Sequence, residues 1–384
     1  MIRGIIIPEI KLKTNLQDIT QKDIELLLHI HKKPFITYEE LSEKIKIPKT
    51  TVYEIVKKIE PLFSVAALPN FHRIGLFTLD VLIAAKSQRK IVYLEKFAQN
   101  HPYITYFARI FGEMTGMYFQ FRIPYGTLDL IKNLFLTLKH KDHLDDFHFL
   151  QFDMISKITS FDLTKWNFEN YTWNFDWNQW FQIENIGDSS QSPSNPSKES
   201  ITWLQKKDIA LLNKLIVNAR RPNTQIKEEL SKIKYTMSDS TLTRRKKRLE
   251  DECILGYHVQ INPHIFDVAN TVLIWGYGPV EEITKIYLRM NSHPIPFYST
   301  LKCEKSTFLW YIHLPTQQLS DLLHILQKVL YEINLSFVDY PQSVVYSLDA
   351  EMFNEKIHEW DKNPDTLTDQ VIENTDRAFL QVQS

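Results

Sequence analysis

Apolar positions along the chain follow two periods, and the pair of periods occurs twice. Between residues 23 and 60 apolar side chains recur three and four apart in three short runs. One starts at Asp23, one surrounds the EELS segment, and one opens at Thr51, where Val52, Val56 and Ile59 keep helical spacing. This predicts three helices, the third packed on the first two. From residue 77 the period changes. FTLDVLIAA (77–85) reads as a strand and QRKIVYLEKFAQNH (88–101) as a helix; strands near 102–112 and 116–123, a helix near 127–138 and a strand near 146–153 follow. The same order returns after residue 204: three helical runs, then TVLIWGY (271–277), a helix over 280–291, strands near 295–303 and 307–314, a helix over 316–330 and a strand near 334–340.

The two stretches can be aligned. YEELSEKIKIPKTTVYEIVKKIE (38–60) resembles KEELSKIKYTMSDSTLTRRKKRLE (227–250), and MYFQFRIP matches FLWYIHLP. Asp23 pairs with Asp208, Leu41 with Leu230, Thr51 with Thr241, His101 with His293 and Pro124 with Pro315, at separations that drift only between 185 and 192. Three helices followed by strand, helix, two strands, helix, strand describe an α+β fold. It comprises two winged helix-turn-helix domains, each followed by a ferredoxin-like βαββαβ domain, and the two copies are expected to form an intramolecular pseudo-dimer. The expected boundaries are 1–75 for an N-terminal arm and the first winged helix-turn-helix, and 76–153 for the first ferredoxin-like domain. An aromatic-rich segment and linker take 154–203, the second winged helix-turn-helix 204–264, the second ferredoxin-like domain 265–348, and a C-terminal helix and tail 349–384.

Each four-stranded sheet carries helices on one face, so its other face needs a partner. FDLTKWNFENYTWNFDWNQWF (161–181) is expected to pack across one or both open faces, with ligand or partner binding as the alternative. DSSQSPSNPSKE (188–199) reads as a linker, and a flexible coil of about 50 residues would reach about 35–42 Å. EMFNEKIHEW reads as helical, and the polar end after it as a mobile tail.

Composition adds limits. With 43% hydrophobic and 24% charged residues the chain can bury a core, and no apolar run approaches the length of a membrane span. No signal peptide is read at the start, so a cytoplasmic location is expected. Cys253 and Cys303 are the two cysteines and show no metal-ligand spacing, which suits a reducing compartment. A net charge of -1 does not announce a nucleic-acid binder, yet a locally basic helix can be hidden in such a balance.

That helix is the one opening at Ser240. A major-groove helix needs short polar groups at its start and Arg or Lys further along. Ser240 and Thr243 suit base edges or phosphates, Arg244 suits a guanine, and Arg245, Lys247 and Arg248 suit phosphates. The first copy is electrically balanced, Lys57 and Lys58 facing Glu54 and Glu60; its expected contacts are Lys49, Thr50, Tyr53 and Lys57. Unequal reading by the two helices follows, the second dominant.

KKDIALLNKLIVNARRP (206–222), STLTRRKKRLEDECILGYHVQINP (240–263) and the α+β segment after 270 resemble, in this order and spacing, the Lrp/AsnC (feast/famine) family of transcription regulators. The resemblance covers 204–346 well and 20–153 more loosely. It implies sequence-dependent binding of double-stranded DNA, association through sheet faces with room for homo-oligomers, and control by a small, amino-acid-like effector. The effector site of that family is associated with a Gly-rich hairpin, which points to Gly112, Glu113 and Gly116 in GEMTGMYF; the second copy reads CEKSTFLW and departs from the pattern. Its recognition helix also departs, with Lys246 where the family has an apolar residue.

Two other readings compete with this one. Some sirohaem decarboxylases resemble the same plan, but their Thr-His-Asn type strand motif is absent from HPYITYFARIF and HPIPFYSTLK, where His101 and His293 begin the strands and Arg109 is the one base in the first. A degenerate regulator acting as an interaction scaffold is the other. HKDHLDDFH (140–148) gathers His140, His143 and His148 with three aspartates, read as a solvated loop rather than a metal site. No phosphate loop, dinucleotide fingerprint or nucleophile elbow occurs, so no enzyme activity, catalytic residue, metal or cofactor is expected.

Overall fold

The computed structural model describes residues 19–152, 155–167, 169–170, 172–184, 201–261, 263, 268 and 270–383. The N-terminal arm before residue 19 and the linker 188–199 lie outside the described residues.

The first half opens with α1 (Gln21–Lys32), α2 (Tyr38–Ile45) and α3 (Lys49–Ile59). Thr20 and Thr37 start α1 and α2 with reciprocal caps, each hydroxyl accepting from the N–H of Asp23 or Glu40 while that carboxylate accepts from the threonine N–H. Val52, Val56 and Ile59 are buried, as their spacing predicts. A wing strand β1 (Phe63–Pro69) leads into β2 (Leu76–Ala84), α4 (Gln88–Asn100), β3 (Ile104–Gly112), β4 (Gly116–Pro124), α5 (Leu128–His140) and β5 (Asp146–Gln151). A segment with β6 (Lys157–Thr159), β7 (Trp166–Asn167), β8 (Thr172–Trp173) and α6 (Trp177–Phe181) closes this half.

The second half repeats the order. It runs through α7 (Lys206–Asn218), α8 (Asn223–Lys232), α9 (Asp239–Glu252), β9 (Ile254–Ile261), β10 (Asn270–Tyr277), α10 (Val280–Ser292), β11 (Ser299–Glu304), β12 (Thr307–Leu314), α11 (Thr316–Val329) and β13 (Glu332–Val338). It ends in β14 (Val344–Val345), β15 (Phe353–Asn354), β16 (Glu359–Trp360), α12 (Pro364–Leu367) and α13 (Asp369–Gln383). The expected α+β architecture of two winged helix-turn-helix units and two βαββαβ units is therefore present.

Paired strands and packed sheet faces join the halves. Wing strands β1 and β9 pair antiparallel from Phe63–Ile261 to Pro69–Ile254. The two sheets meet at an edge where β3 pairs with β13, giving the order β5-β2-β4-β3-β13-β10-β12-β11-β6, with β14 also on β3. Their helix-free faces close on each other: Leu82, Ala108, Ile110, Tyr118 and Leu150 form one buried cluster with Leu273, Trp275, Leu309 and Tyr311. Each open face is thus covered by the other sheet.

This corrects the expected place of the aromatic segment, which lies on the helix side of the second sheet. Trp177 stands edge-on to Trp310 at 6.0 Å and packs on Phe297, Trp180 Nε1 donates to the His293 carbonyl at 2.7 Å, and Arg289 of α10 covers the Trp180 ring at 5.4 Å. Alternation explains the choice: Phe308, Trp310 and Ile312 of β12 face the helices, and Leu309 and Tyr311 face the first sheet. Because 155–167 and 172–184 are largely built into this layer, a free coil of some 50 residues is also corrected.

The C-terminal stretch is no tail. Phe353 and Trp360 pair across the β15–β16 hairpin, and α12 and α13 bury Leu367, Val371, Ile372 and Phe379 against the first half. Tyr93 of α4 donates to Asp376 at 2.9 Å, and Trp360 Nε1 donates to the Ile74 carbonyl at 2.6 Å. The expected helix over EMFNEKIHEW is therefore a turn and a hairpin. Residues 162–173 and 349–360 share Asp, aromatic, Asn and Trp at the same spacing (Asp162, Trp166, Asn167, Trp173; Asp349, Phe353, Asn354, Trp360), and their described residues take the same turn and paired two-residue strands. Each half sends this closing segment onto the helix layer of the other.

Candidate nucleic-acid interface

The second reading helix, α9, begins at Ser238, whose hydroxyl accepts from the Thr241 N–H. Leu242 and Leu249 bury its inner side. Ser240, Thr243, Arg244, Lys247 and Arg248 are exposed, and Lys246 is half-buried. Thr243 spends its hydroxyl on the Asp239 carbonyl at 2.9 Å. Arg248 pairs with Glu252 at 2.9 Å and lies 4.2 Å over the Trp203 ring, leaving half of its side chain exposed. Arg244 and Lys247 engage no ion pair or hydrogen bond among the described residues, so their charges face solvent.

Arg245 is corrected from phosphate contact to structural clamp. Its Nη1 lies 2.7 Å from both carboxylate oxygens of Asp208, and its Nη2 donates to Gln205 Oε1 at 2.7 Å. Asp208 is fully buried at the start of α7, where its carboxylate also accepts from the Gln205 N–H at 2.9 Å. Burial raises the Asp208 pKa, and Arg245 opposes that rise. The pair fastens the reading helix to α7 and turns both Nη groups inward.

The first reading helix, α3, presents less charge. Lys49 is ion-paired with Glu39 of α2, and Lys58 reaches back to buried Asp23 at 2.7 Å. Tyr53 is exposed, set edge-on to Tyr38 at 5.7 Å, and Lys57 sits 5.7 Å from its ring. Thr50 is exposed at the first turn beside them. In both units the turn before the reading helix holds a lysine in the left-handed region, Lys46 at φ 56° and Lys234 at φ 70°. The sequence gives no sign of either, because a helix stop is readable at Gly or Asn and both positions here are lysines.

The two units are fastened together by more than the wing ribbon. Arg220, just past α7, donates to the Pro34 and Ile36 carbonyls of the first unit at 2.9 and 3.1 Å.

The hairpin expected to take an effector is held by strand contacts. Gly112 has φ 145°, and a Cβ there would stand 2.6 Å from the Leu335 carbonyl of β13; Glu113 N–H donates to that same carbonyl at 3.0 Å. At Gly116, φ 154°, a Cβ would meet the Ile83 carbonyl at 2.0 Å. Close backbone approach accounts for both glycines. A groove of about 650 Å³ lies elsewhere, beside the β15–β16 hairpin and against Lys206, Glu351 and Trp360.

His143 stacks on Tyr93 at 3.7 Å, and among the described residues no group of three His, Cys, Asp or Glu is gathered as a metal site needs. Both cysteines are buried free thiols, and burial pushes Cys253 up to about 12. None of the described helices is long and apolar enough to cross a membrane.

A winged helix-turn-helix DNA-binding family model matches residues 19–60, which is the first unit rather than the second, where the sequence reading placed the clearer resemblance. No curated protein matches the chain. Two solved structures match over most of its length. The siroheme decarboxylase NirDL covers 93% of this chain and 99% of its own at 11% identity and a TM-score of 0.49; the same enzyme in co-complex with an iron-uroporphyrin III analogue covers 94% and 100% at 11% and 0.47. The expectation that the chain has no enzyme activity is corrected and given up: both of these structures, which match along its length, are of one enzyme. At such identity and TM-scores the likeness brings no substrate, cofactor or catalytic residue to this chain. The match over residues 19–60 supports DNA binding by the first unit, with double-stranded DNA as a partner.

Proposed function

We propose that the protein is a sequence-dependent DNA-binding transcription regulator of the Lrp/AsnC type, built from a tandem duplication and reading DNA mainly through its second unit. The observation that carries this reading is the family match to residues 19–60, joined through a paired wing ribbon to a second unit of the same form. Dominance of the second unit is supported by the solvent-facing charges of Arg244 and Lys247, set against Lys49 and Lys58, which are ion-paired within the first. Ser240 and Thr243 are assigned to the groove floor or phosphates, Arg244 to a base edge, and Lys247 and Arg248 to phosphates, with Lys46 and Lys234 approaching the backbone from the turns. Thr50, Tyr53 and Lys57 supply the weaker half of the contact. An amino-acid-like effector belongs to the same reading, and calorimetric titration with amino acids tests it.

Genomic footprinting of the purified protein at several salt concentrations tests the central proposal. Discrete, salt-sensitive footprints with unequal halves support it; uniform protection, or none, overturns it. The DNA-binding reading does not exclude catalysis. Sirohaem-decarboxylase-like activity is tested by adding sirohaem and following both its visible spectrum and carbon dioxide release, and a positive result would add an enzyme function to the binding one.

A further inference from the structure

Strand registers give each residue of one half its counterpart in the other, and they isolate one charged pair that has none. Tyr118 of β4 corresponds to Leu309 of β12, and Gln120 to Tyr311, through the match of MYFQFRIP to FLWYIHLP. Tyr118 is opposed on β3 by Ala108, whereas Leu309 is opposed on β11 by Lys302. Gln120 is opposed on β2 by Asp80, whereas Tyr311 is opposed on β10 by Leu273. Of the two corresponding places between the sheets, one therefore holds Asp80 with Lys302 and the other offers Leu273 and Ala108. All four are buried. Lys302 Nζ lies 2.8 and 2.7 Å from the Asp80 oxygens, the Tyr118 hydroxyl donates to Asp80 at 2.6 Å, and Gln120 Nε2 donates to Tyr118 at 2.7 Å. Arg122, half-buried, adds a further charge near this pair.

We propose that this one-sided ion pair selects partners: it makes the first half, residues 19–184, pair with the second half, residues 201–383, and reject a copy of itself. Were two first halves to pair, each Asp80 would face Ala108 with its ammonium partner missing. In a pair of second halves each Lys302 would face the hydrocarbon of Leu273. An unpaired buried ion is far costlier than either a completed pair or an apolar contact, so the unlike arrangement, with one place fully paired and the other fully apolar, is the one without an orphan charge. A lone polar residue fixes register in coiled coils by the same logic.

The edge seam carries a second, separate restriction. Pairing of β3 with β13 needs Gly112, because a Cβ there would meet the Leu335 carbonyl at 2.6 Å. By the register that matches Ala108 to Lys302, Cys303 is the counterpart of Arg109, and the second half turns at Lys305 and Ser306 where the first half has this seam residue. A pair of second halves therefore has no strand there to form the seam. Nothing in the inference depends on DNA binding.

The test uses the full chain with a specific protease site inserted in 188–199. The protein is cut, unfolded in urea and refolded, and its pairs are counted by native mass spectrometry. The expected result is a 1:1 pair of unlike fragments exceeding like pairs by about a hundredfold or more. In Asp80→Leu/Lys302→Met the unlike pair should persist while pairs of first halves rise severalfold, and Lys302→Arg should keep the selectivity. A variant that does not refold is assayed without unfolding, by exchange of its cut form with cut ¹⁵N-labelled protein. Like pairs in statistical proportion in the natural sequence, or fractions unchanged by the apolar double substitution, overturn the proposal.

Discussion

Lys302 and Asp80 lie 222 residues apart in sequence and meet as a buried ion pair between the two sheets, the Lys302 ammonium 2.7–2.8 Å from both carboxylate oxygens. Burial pushes the Lys302 amine down to about 8, Asp80 opposing and Arg122 reinforcing the shift, so the ammonium remains charged at neutral pH. Removing one partner strands the other. Lys302→Met should destabilise the protein by about 3–5 kcal/mol, whereas Asp80→Leu/Lys302→Met should lie much closer to the natural protein because no orphan ion remains. Urea unfolding of the three proteins measures this, and a double variant as unstable as the single one would contradict the assignment.

Arginines 244 and 245 are neighbours in sequence with opposite fates. Arg245→Ala removes the clamp on buried Asp208 and should cost about 3 kcal/mol of stability. Arg244→Ala/Lys247→Ala should leave the melting temperature nearly unchanged while lowering the slope of log K against log salt by about 1, the share of Lys247, and relaxing specificity at the base that Arg244 reads. Calorimetry and fluorescence anisotropy separate the two effects. Equal losses of stability in both variants would mean that Arg244 and Lys247 are also structural.

Much of the fold was legible because local pattern and tertiary need agree. Val52, Val56 and Ile59 at helical spacing and the alternation along MYFQFRIP mark buried faces before any contact is known. The relationships that went unread are those decided at long range. Arg245 looks like any basic residue of a reading helix until α7 brings Asp208 against it, 37 residues away in sequence. The hairpins β7–β8 and β15–β16 have two-residue strands, too short to show a period, though the matched spacing from Asp162 to Trp173 and from Asp349 to Trp360 was visible. Gly112 and Gly116 were read through a family pattern, whereas in the folded chain their lack of a side chain admits the Leu335 and Ile83 carbonyls.

Those glycines yield a direct test. Gly116→Ala places a Cβ 2.0 Å from the Ile83 carbonyl at a φ that alanine rarely adopts, and Gly112→Ala crowds the seam between halves. Both should lower stability by about 1–3 kcal/mol or more, with or without any effector. If the two variants keep full thermal stability but lose response to an amino acid, the hairpin is a ligand site and the backbone account fails.

Acid should loosen the joint between the wing ribbon and the second sheet. His258 of β9 stands opposite Ala66, its ring stacked on Tyr298 at 6.2 Å, and burial holds its imidazole down at about 4, with His31 acting in the same direction. His31 is itself lowered by burial, against the opposing pull of Asp162. A histidine whose pKa falls from 6.5 in the unfolded chain to about 4 on folding binds its proton more readily when unfolded. Its contribution is therefore intact above pH 6.5 and declines as pH drops through the interval down to about 4, by at most about 1.4 kcal/mol per pH unit. His258→Phe keeps an aromatic ring against Tyr298 and removes the titration, so it should lose less stability between pH 7 and pH 5 than the natural protein, the remaining slope arising in part from His31. Urea midpoints at the two pH values measure the difference; an identical loss in both proteins would show that His258 is not the acid-sensitive group.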